Sequence, residues 1–136
     1  MARILGLDYG VKRTGISVTD PLQIIVNPLE VVETKNLLDF LMSYCEKEDV
    51  EKIVIGEPRH RDGKEVYFEK DIKILIKKIK TKYQDIQIVR QDESFTSSEA
   101  KDLLLQMNMK KKKRQDKSML DKVSAVLILQ RYLKHI

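Results

Sequence analysis

Three acidic positions fall where chemistry could use them. Asp8 ends the apolar run Ile4-Leu5-Gly6-Leu7 and stands immediately before Tyr9-Gly10. Asp92-Glu93 follows the apolar stretch around Ile86, Ile88 and Val89 in the same way. Asp121 opens the apolar C-terminal segment, where Asp121, Ser124, Ala125 and Ile128 share one stripe at i, i+3, i+4 and i+7. A carboxylate where a buried strand runs out is costly unless it is paired, hydrogen-bonded or bound to a cation. Each acid also has a local explanation: Asp8 as a turn cap, Asp121 as a first-turn acid favoured by the helix dipole, and Asp92-Glu93 as acids before a helix. Thr96-Ser-Ser-Glu99 reads as a capping box. Capping accounts for Thr96 and Glu99 better than for two successive carboxylates upstream of them. Brought to one sheet edge, the acids would form an oxygen-rich site suited to Mg²⁺ or Mn²⁺. Two such ions ~3.5–4 Å apart can activate a water and stabilise the leaving oxygen of a phosphodiester.

Other chemistries lack their parts. The sequence has no Gly-x-Ser-x-Gly, and its histidines are His60, set among Arg59, Arg61 and Asp62, and His135. It has no Walker-type phosphate loop and no dinucleotide fingerprint. Its basic residues suit a polyanion. Lys12 and Arg13 lie just beyond Asp8, and Lys110 to Arg114 form an unbroken basic run. The 136 residues carry 26 Lys/Arg against 21 Asp/Glu, net +5. Residues 101–136 hold ten Lys/Arg and three acids, so that quarter is +7 and the first hundred residues are −2. A near-neutral body with a basic C-terminal quarter points to nucleic acid, and the alternative is a solvated inter-helix loop. The single Cys45 cannot build a disulfide framework, and no run approaches the ~20 apolar residues of a membrane span, so a cytoplasmic protein is expected.

The elements that must position these residues follow from periodicity. Ile4 to Leu7 reads as a strand buried on both faces. Thr14 to Thr19 alternates as a second strand, and Ile24 to Val26 with Leu29 to Val32 makes a third, where Pro28 argues for an edge or a bulge. Leu37, Leu38, Phe40, Leu41 and Tyr44 recur at helical spacing, and Ile53 to Gly56 is a fourth short buried strand. Val66 to Tyr83 is expected to be a helix, Ile86 to Val89 a fifth strand, and Thr96 to Met107 and Leu120 to Leu133 further helices. The order β-β-β-α-β-α-β-α predicts one α/β domain over 1–136 with a mixed five-stranded sheet and helices on both faces, a ribonuclease H-like arrangement.

These residues also carry a resemblance. Leu5-Gly-Leu-Asp8-Tyr-Gly10-Val-Lys12-Arg13-Thr-Gly15-Ile-Ser-Val-Thr-Asp20 resembles the opening motif of the bacterial pre-16S rRNA nuclease family, also called Holliday junction resolvase-like. Ile55-Gly56-Glu57-Pro58, Asp92-Glu93 with Thr96-Ser97, and Lys111-Lys112-Lys113-Arg114 before Asp121-Lys-Val-Ser124-Ala125 match in order, so the resemblance spans essentially the whole chain. It implies a ribonuclease H-like fold and a Mg²⁺ or Mn²⁺ site made of Asp8, Glu93 and Asp121. Related nucleases place an acid after the fourth strand, where Glu57 stands here. The middle ligand is therefore either Glu93 or Glu57. Ser94 occupies a position where the family usually has Arg, which removes one phosphate or carboxylate contact. Lys12, Arg13, Lys111, Lys112, Lys113 and Arg114 would position the nucleic acid strand.

The resemblance makes the expected activity metal-dependent endonucleolytic processing of the 5′ end of precursor 16S rRNA, with resolution of branched DNA as its competitor. A second class is a non-catalytic nucleic-acid-binding accessory factor, in which the acids are structural. Nucleotide binding in the manner of actin-like ATPases ranks last, because one lobe of this length lacks a second to close over ATP. Either a monomer or a homodimer is compatible with the sequence, and a junction resolvase acting on two strands would require a two-fold dimer.

Overall fold

The structure is a computed structural model that describes residues 2–57, 66–92 and 117–135. Its centre is a five-stranded sheet. The strands are β1 (Arg3–Asp8), β2 (Arg13–Thr19), β3 (Val26–Glu33), β4 (Val50–Glu57) and β5 (Gln87–Asp92), arranged β3-β2-β1-β4-β5. The first three form the antiparallel meander, while β1, β4 and β5 run parallel. The C-terminal ends of those three strands therefore share one edge of the sheet.

Both faces of the centre are covered, which is why Ile4, Leu5 and Leu7 are consecutive large apolar side chains around a glycine rather than an alternating pattern. On one face, Leu5, Leu7, Ile16, Val18, Ile53 and Ile55 pack against α1 (Leu37–Lys47) through Leu37 and Leu41, and against α2 (Glu69–Lys82) through Ile72, Leu75 and Ile79. On the other face, α3 (Lys117–Tyr132) packs Ile128 and Leu129 on Ile4 and Val54. Helices thus lie on both faces, as expected.

α3 needs unusually close approach, and the sheet supplies it at Gly6. A Cβ there would stand 2.5 Å from both Leu129 Cγ and Ser17 Oγ. Ser17, opposite Gly6 on β2, donates its buried hydroxyl to the carbonyl of Ala125 at 2.7 Å. The small stripe Ser124-Ala125-Ile128 read from the sequence is wholly buried.

β4 and β5 run longer than the sequence expectation, through Glu57 and Asp92, and the starts of β3, α2 and α3 differ from it as well. Ile24 and Ile25 lie outside β3, exposed in a turn that Asp20 organises by accepting from the amides of Leu22, Ile24 and Ile25. Those bonds hold the Asp20 carboxyl below its ordinary range. Pro28 sits on the edge strand where the β2–β3 register shifts, as its lack of an N–H requires. α2 starts at Glu69 rather than Val66, because Val66–Phe68 forms a turn in which Phe68 stacks on Tyr9 with ring centroids 5.9 Å apart. α3 starts at Lys117, three residues before the expected Leu120. The expected Thr96–Met107 helix lies outside the described residues.

Candidate active site at the sheet edge

Asp8 is the last residue of the central strand and is still paired to Gly15 of β2. Successive strand residues alternate between faces. Ile4 packs under α3 and Gly6 lies against Leu129, so Asp8 belongs to the α3 face. The path of α3 is fixed by three contacts. Tyr132 accepts from Lys52 Nζ (3.1 Å) at the start of β4, Leu129 covers Gly6, and Ala125 covers Ser17. Followed toward its N-terminus, the helix passes from Lys52 of β4 over Gly6 of β1 to Ser17, the register partner of Gly6 on β2. Asp121 is one turn beyond Ala125 in that direction.

The earlier start of α3 changes the reading of Asp121. It is the fifth residue of the helix, and the first turn holds no acid. Dipole stabilisation falls off within the first turn, so the expectation that Asp121 is a helix-opening acid does not hold. It stands four residues before Ala125, whose carbonyl accepts from Ser17 of β2.

Glu57 and Asp92 end β4 and β5 opposite one another in register. They share the edge with Asp8 but not its face. Ile53 and Ile55 point into the α1/α2 core, which by alternation carries Glu57 to that side, and Arg90 reaches α2 from the same face as Asp92. Glu93, Ser94 and the run Lys111, Lys112, Lys113, Arg114 lie outside the described residues. Among the described residues, no three His, Cys, Asp or Glu side chains converge as a metal site. What the edge does offer is chemically suitable for a hard divalent cation: carboxylate oxygens, with no thiol or imidazole among the acids at the strand ends.

The turn after Asp8 is held rigidly. Gly10 is required there, since a Cβ would collide with the backbone carbonyl of Arg13. Thr34, in a short 3₁₀ turn after β3, is the anchor. Its hydroxyl donates to Gly10 O (2.5 Å), its amide donates to Lys12 O (2.9 Å), and the Thr14 hydroxyl bonds to its oxygen at 2.9 Å. Lys12 and Arg13 are exposed on this anchored loop, directly beyond Asp8. Sequence reasoning missed Thr34, because its partners are twenty or more residues upstream and no local pattern announces them. Burial and the neighbouring Asp71 raise the Tyr9 hydroxyl above its ordinary range, so Tyr9 remains a neutral packing group beside the acid. An open cleft of about 430 Å³ lined by Tyr9, Val11, Thr34, Asp71 and Ile74 lies beside it on the α1/α2 side.

A mixed five-stranded sheet with helices on both faces has counterparts among known proteins. Residues 2–135 match the RuvX family, described as Holliday junction resolvase. The chain belongs to this family. A RuvX relative from Phocaeicola vulgatus is 46% identical over 134 residues, covering 98% of this chain and 96% of that one. One from Christiangramia forsetii is 43% identical, covering 98% of each. Both are described as "putative pre-16S rRNA nuclease". The fold is shared more widely: a fowlpox virus resolvase in complex with Holliday junction DNA superposes with a TM-score of 0.61 at 11% identity, covering 98% of this chain and 97% of that one. The T. thermophilus RuvC complex with a Holliday junction substrate gives 0.58 at 12%, covering 98% and 96%. The RuvX chain thus has the ribonuclease H-like resolvase fold and is a nuclease, a hydrolase whose substrate is nucleic acid. Among its described residues, no helix is long and apolar enough to cross a membrane.

Proposed function

We propose that this RuvX protein is a divalent-metal-dependent endonuclease that processes the 5′ end of precursor 16S rRNA in the cytoplasm, with Asp8, Glu93 and Asp121 as the metal ligands. The observation that carries the site is the shared face: Asp8 ends the central strand on the side crossed by α3, and Asp121 stands in that helix one turn before Ala125, which bonds Ser17 of the sheet. Glu57 ends its strand on the opposite face, which favours Glu93 as the middle ligand. The substrate assignment rests on relatives matched along almost their whole length and described by rRNA processing.

Mg²⁺ or Mn²⁺ bound there would activate the attacking water and offset charge on the leaving oxygen. Asp8 contributes a fixed carboxylate, because β1 is held between β2 and β4 and cannot shift without breaking the sheet. Lys12 and Arg13, on the loop locked by Thr34, bind the phosphates beside the acid edge, and Lys111, Lys112, Lys113 and Arg114 bind the flanking backbone. Leu129, fully buried, packs against Gly6 two residues before Asp8 on the same face of the strand.

The experiment is cleavage of end-labelled 5′-extended 16S leader RNA and of a four-way DNA junction, each with Mn²⁺, Mg²⁺ or EDTA. Asp8→Asn is expected to abolish cleavage while leaving RNA binding nearly intact, and turnover retained in that variant would overturn the site. Junction resolution is the second reading, favoured by the junction-bound structural neighbours. It requires metal-dependent cutting of the DNA junction together with a two-fold dimer in sedimentation, whereas RNA processing proceeds from a single site. Salt-sensitive binding with no cutting under any metal would instead make the protein an accessory factor.

A further inference from the structure

The start of α2 gathers contacts from all three strands that end at the acid edge. Glu69, its first residue, is only 5% exposed. Arg90 of β5 grips both of its oxygens, Nη1 on Oε1 and Nη2 on Oε2. The same guanidinium donates from Nη2 to the carbonyl of Gly56 at 3.1 Å and from Nε to that of Ile55 at 3.4 Å, the two residues of β4 before Glu57. Phe68, immediately before Glu69, stacks on Tyr9, immediately after Asp8. One fork-shaped cation therefore joins the exits of β4 and β5 to the helix, and the aromatic pair joins the exit of β1 to the same point.

Such a pair is a poor investment for stability alone. A buried ion pair gains little over apolar side chains of similar volume, because desolvation offsets the attraction. A bidentate guanidinium does add direction: its planar fork admits one relative placement of carboxylate and carbonyls. Arg90 lies two residues before Asp92 and three before Glu93 in the sequence. We propose that Arg90 and Glu69 are positioning residues of the nuclease, fixing where β4 and β5 leave the sheet relative to Asp8. Neither touches substrate. The proposal rests on the reading of Asp8, Glu93 and Asp121 as metal ligands.

The test pairs Arg90→Met with Glu69→Met in one protein, which keeps side-chain bulk and leaves no unpaired charge. Mn²⁺ affinity is measured by calorimetry on the folded protein, apart from turnover on the 5′-extended leader RNA. The melting temperature is expected to stay near that of the wild type. The Mn²⁺ dissociation constant should rise ~10-fold and kcat should fall ~10–100-fold, the range seen when an outer partner of a metal ligand is lost. KM for the RNA should be nearly unchanged, since the phosphate-binding loop is untouched. Glu69→Gln, which keeps the shape and loses only the charge, should move both quantities the same way by less, and it supplies the answer if the double variant does not fold. A folded variant with wild-type Mn²⁺ affinity overturns the proposal, whatever its kcat. Asp8→Asn run beside it separates the two failures: if it retains both Mn²⁺ binding and cleavage, the acid-edge reading has failed first.

Discussion

At the scale of single residues, the arrangement turns on which face of the sheet a side chain takes. Asp8, Glu57 and Asp92 share an edge, yet strand alternation separates Asp8 from the other two. The sequence made all three legible as strand-end acids but did not distinguish their faces, because doubly buried strands such as Ile4 to Leu7 and Ile53 to Ile55 lack the apolar–polar alternation that marks faces. Gly6 was hidden for the same reason, reading as one more member of an apolar run. Its lack of a side chain is what admits α3. In Gly6→Ala, two forces oppose. The lower entropy of the unfolded chain favours alanine by about 0.5–1 kcal/mol, while overpacking against Leu129 and Ser17 costs about 1–3 kcal/mol. Overpacking wins, because one contact is to the branched Cγ of a fully buried leucine with nowhere to retreat. Urea denaturation should show a net loss of about 1–2 kcal/mol, and an unchanged midpoint would mean that α3 sits further from the sheet.

At the scale of elements, the loop between β1 and β2 is the part on which the proposed strand binding by Lys12 and Arg13 depends. Valine at Thr34 keeps the shape and the amide bond to Lys12 but loses the hydroxyl that links Gly10 and Thr14. The variant Thr34→Val should lose about 1–2 kcal/mol, since a partly buried carbonyl is left without its donor. Kinetically it should raise KM for RNA several-fold with kcat nearly unchanged, the signature of binding lost equally in ground and transition states. An unaltered KM would show that Lys12 and Arg13 do not need the anchor. Elements whose determinants are local were readable: Pro28 announced an edge or a bulge, and the 3.6-residue period announced the three α-helices found among the described residues. Their ends were not, because tertiary contacts set them. The Tyr9–Phe68 stack delays α2, and the early start of α3 moves Asp121 out of its first turn. The Arg90–Glu69 clamp was invisible for a related reason: its partners are 21 residues apart and neither belongs to a recognisable motif.

At the scale of the whole molecule, charge separates binding from chemistry. The first hundred residues are −2 and the last thirty-six are +7, so long-range attraction to a polyanion is concentrated in the C-terminal quarter, while two of the three acids proposed as metal ligands, Asp8 and Glu93, lie outside it. Those acids would repel phosphate unless a cation neutralised them, so the proposed metal would serve productive approach as well as hydrolysis. Binding in EDTA should consequently depend mainly on the basic run. Replacing Lys111, Lys112, Lys113 and Arg114 by glutamine should weaken RNA binding at low salt and flatten its dependence on log salt. Each phosphate contact to a single strand contributes about 0.7 to that slope, so four contacts account for a change of up to about 3. The same variant, saturated with RNA and Mn²⁺, should cut at close to the wild-type rate, because the run only holds flanking phosphates. A slope indistinguishable from that of the wild type would reduce these four residues to a solvated loop and leave Lys12 and Arg13 as the principal grip on the strand.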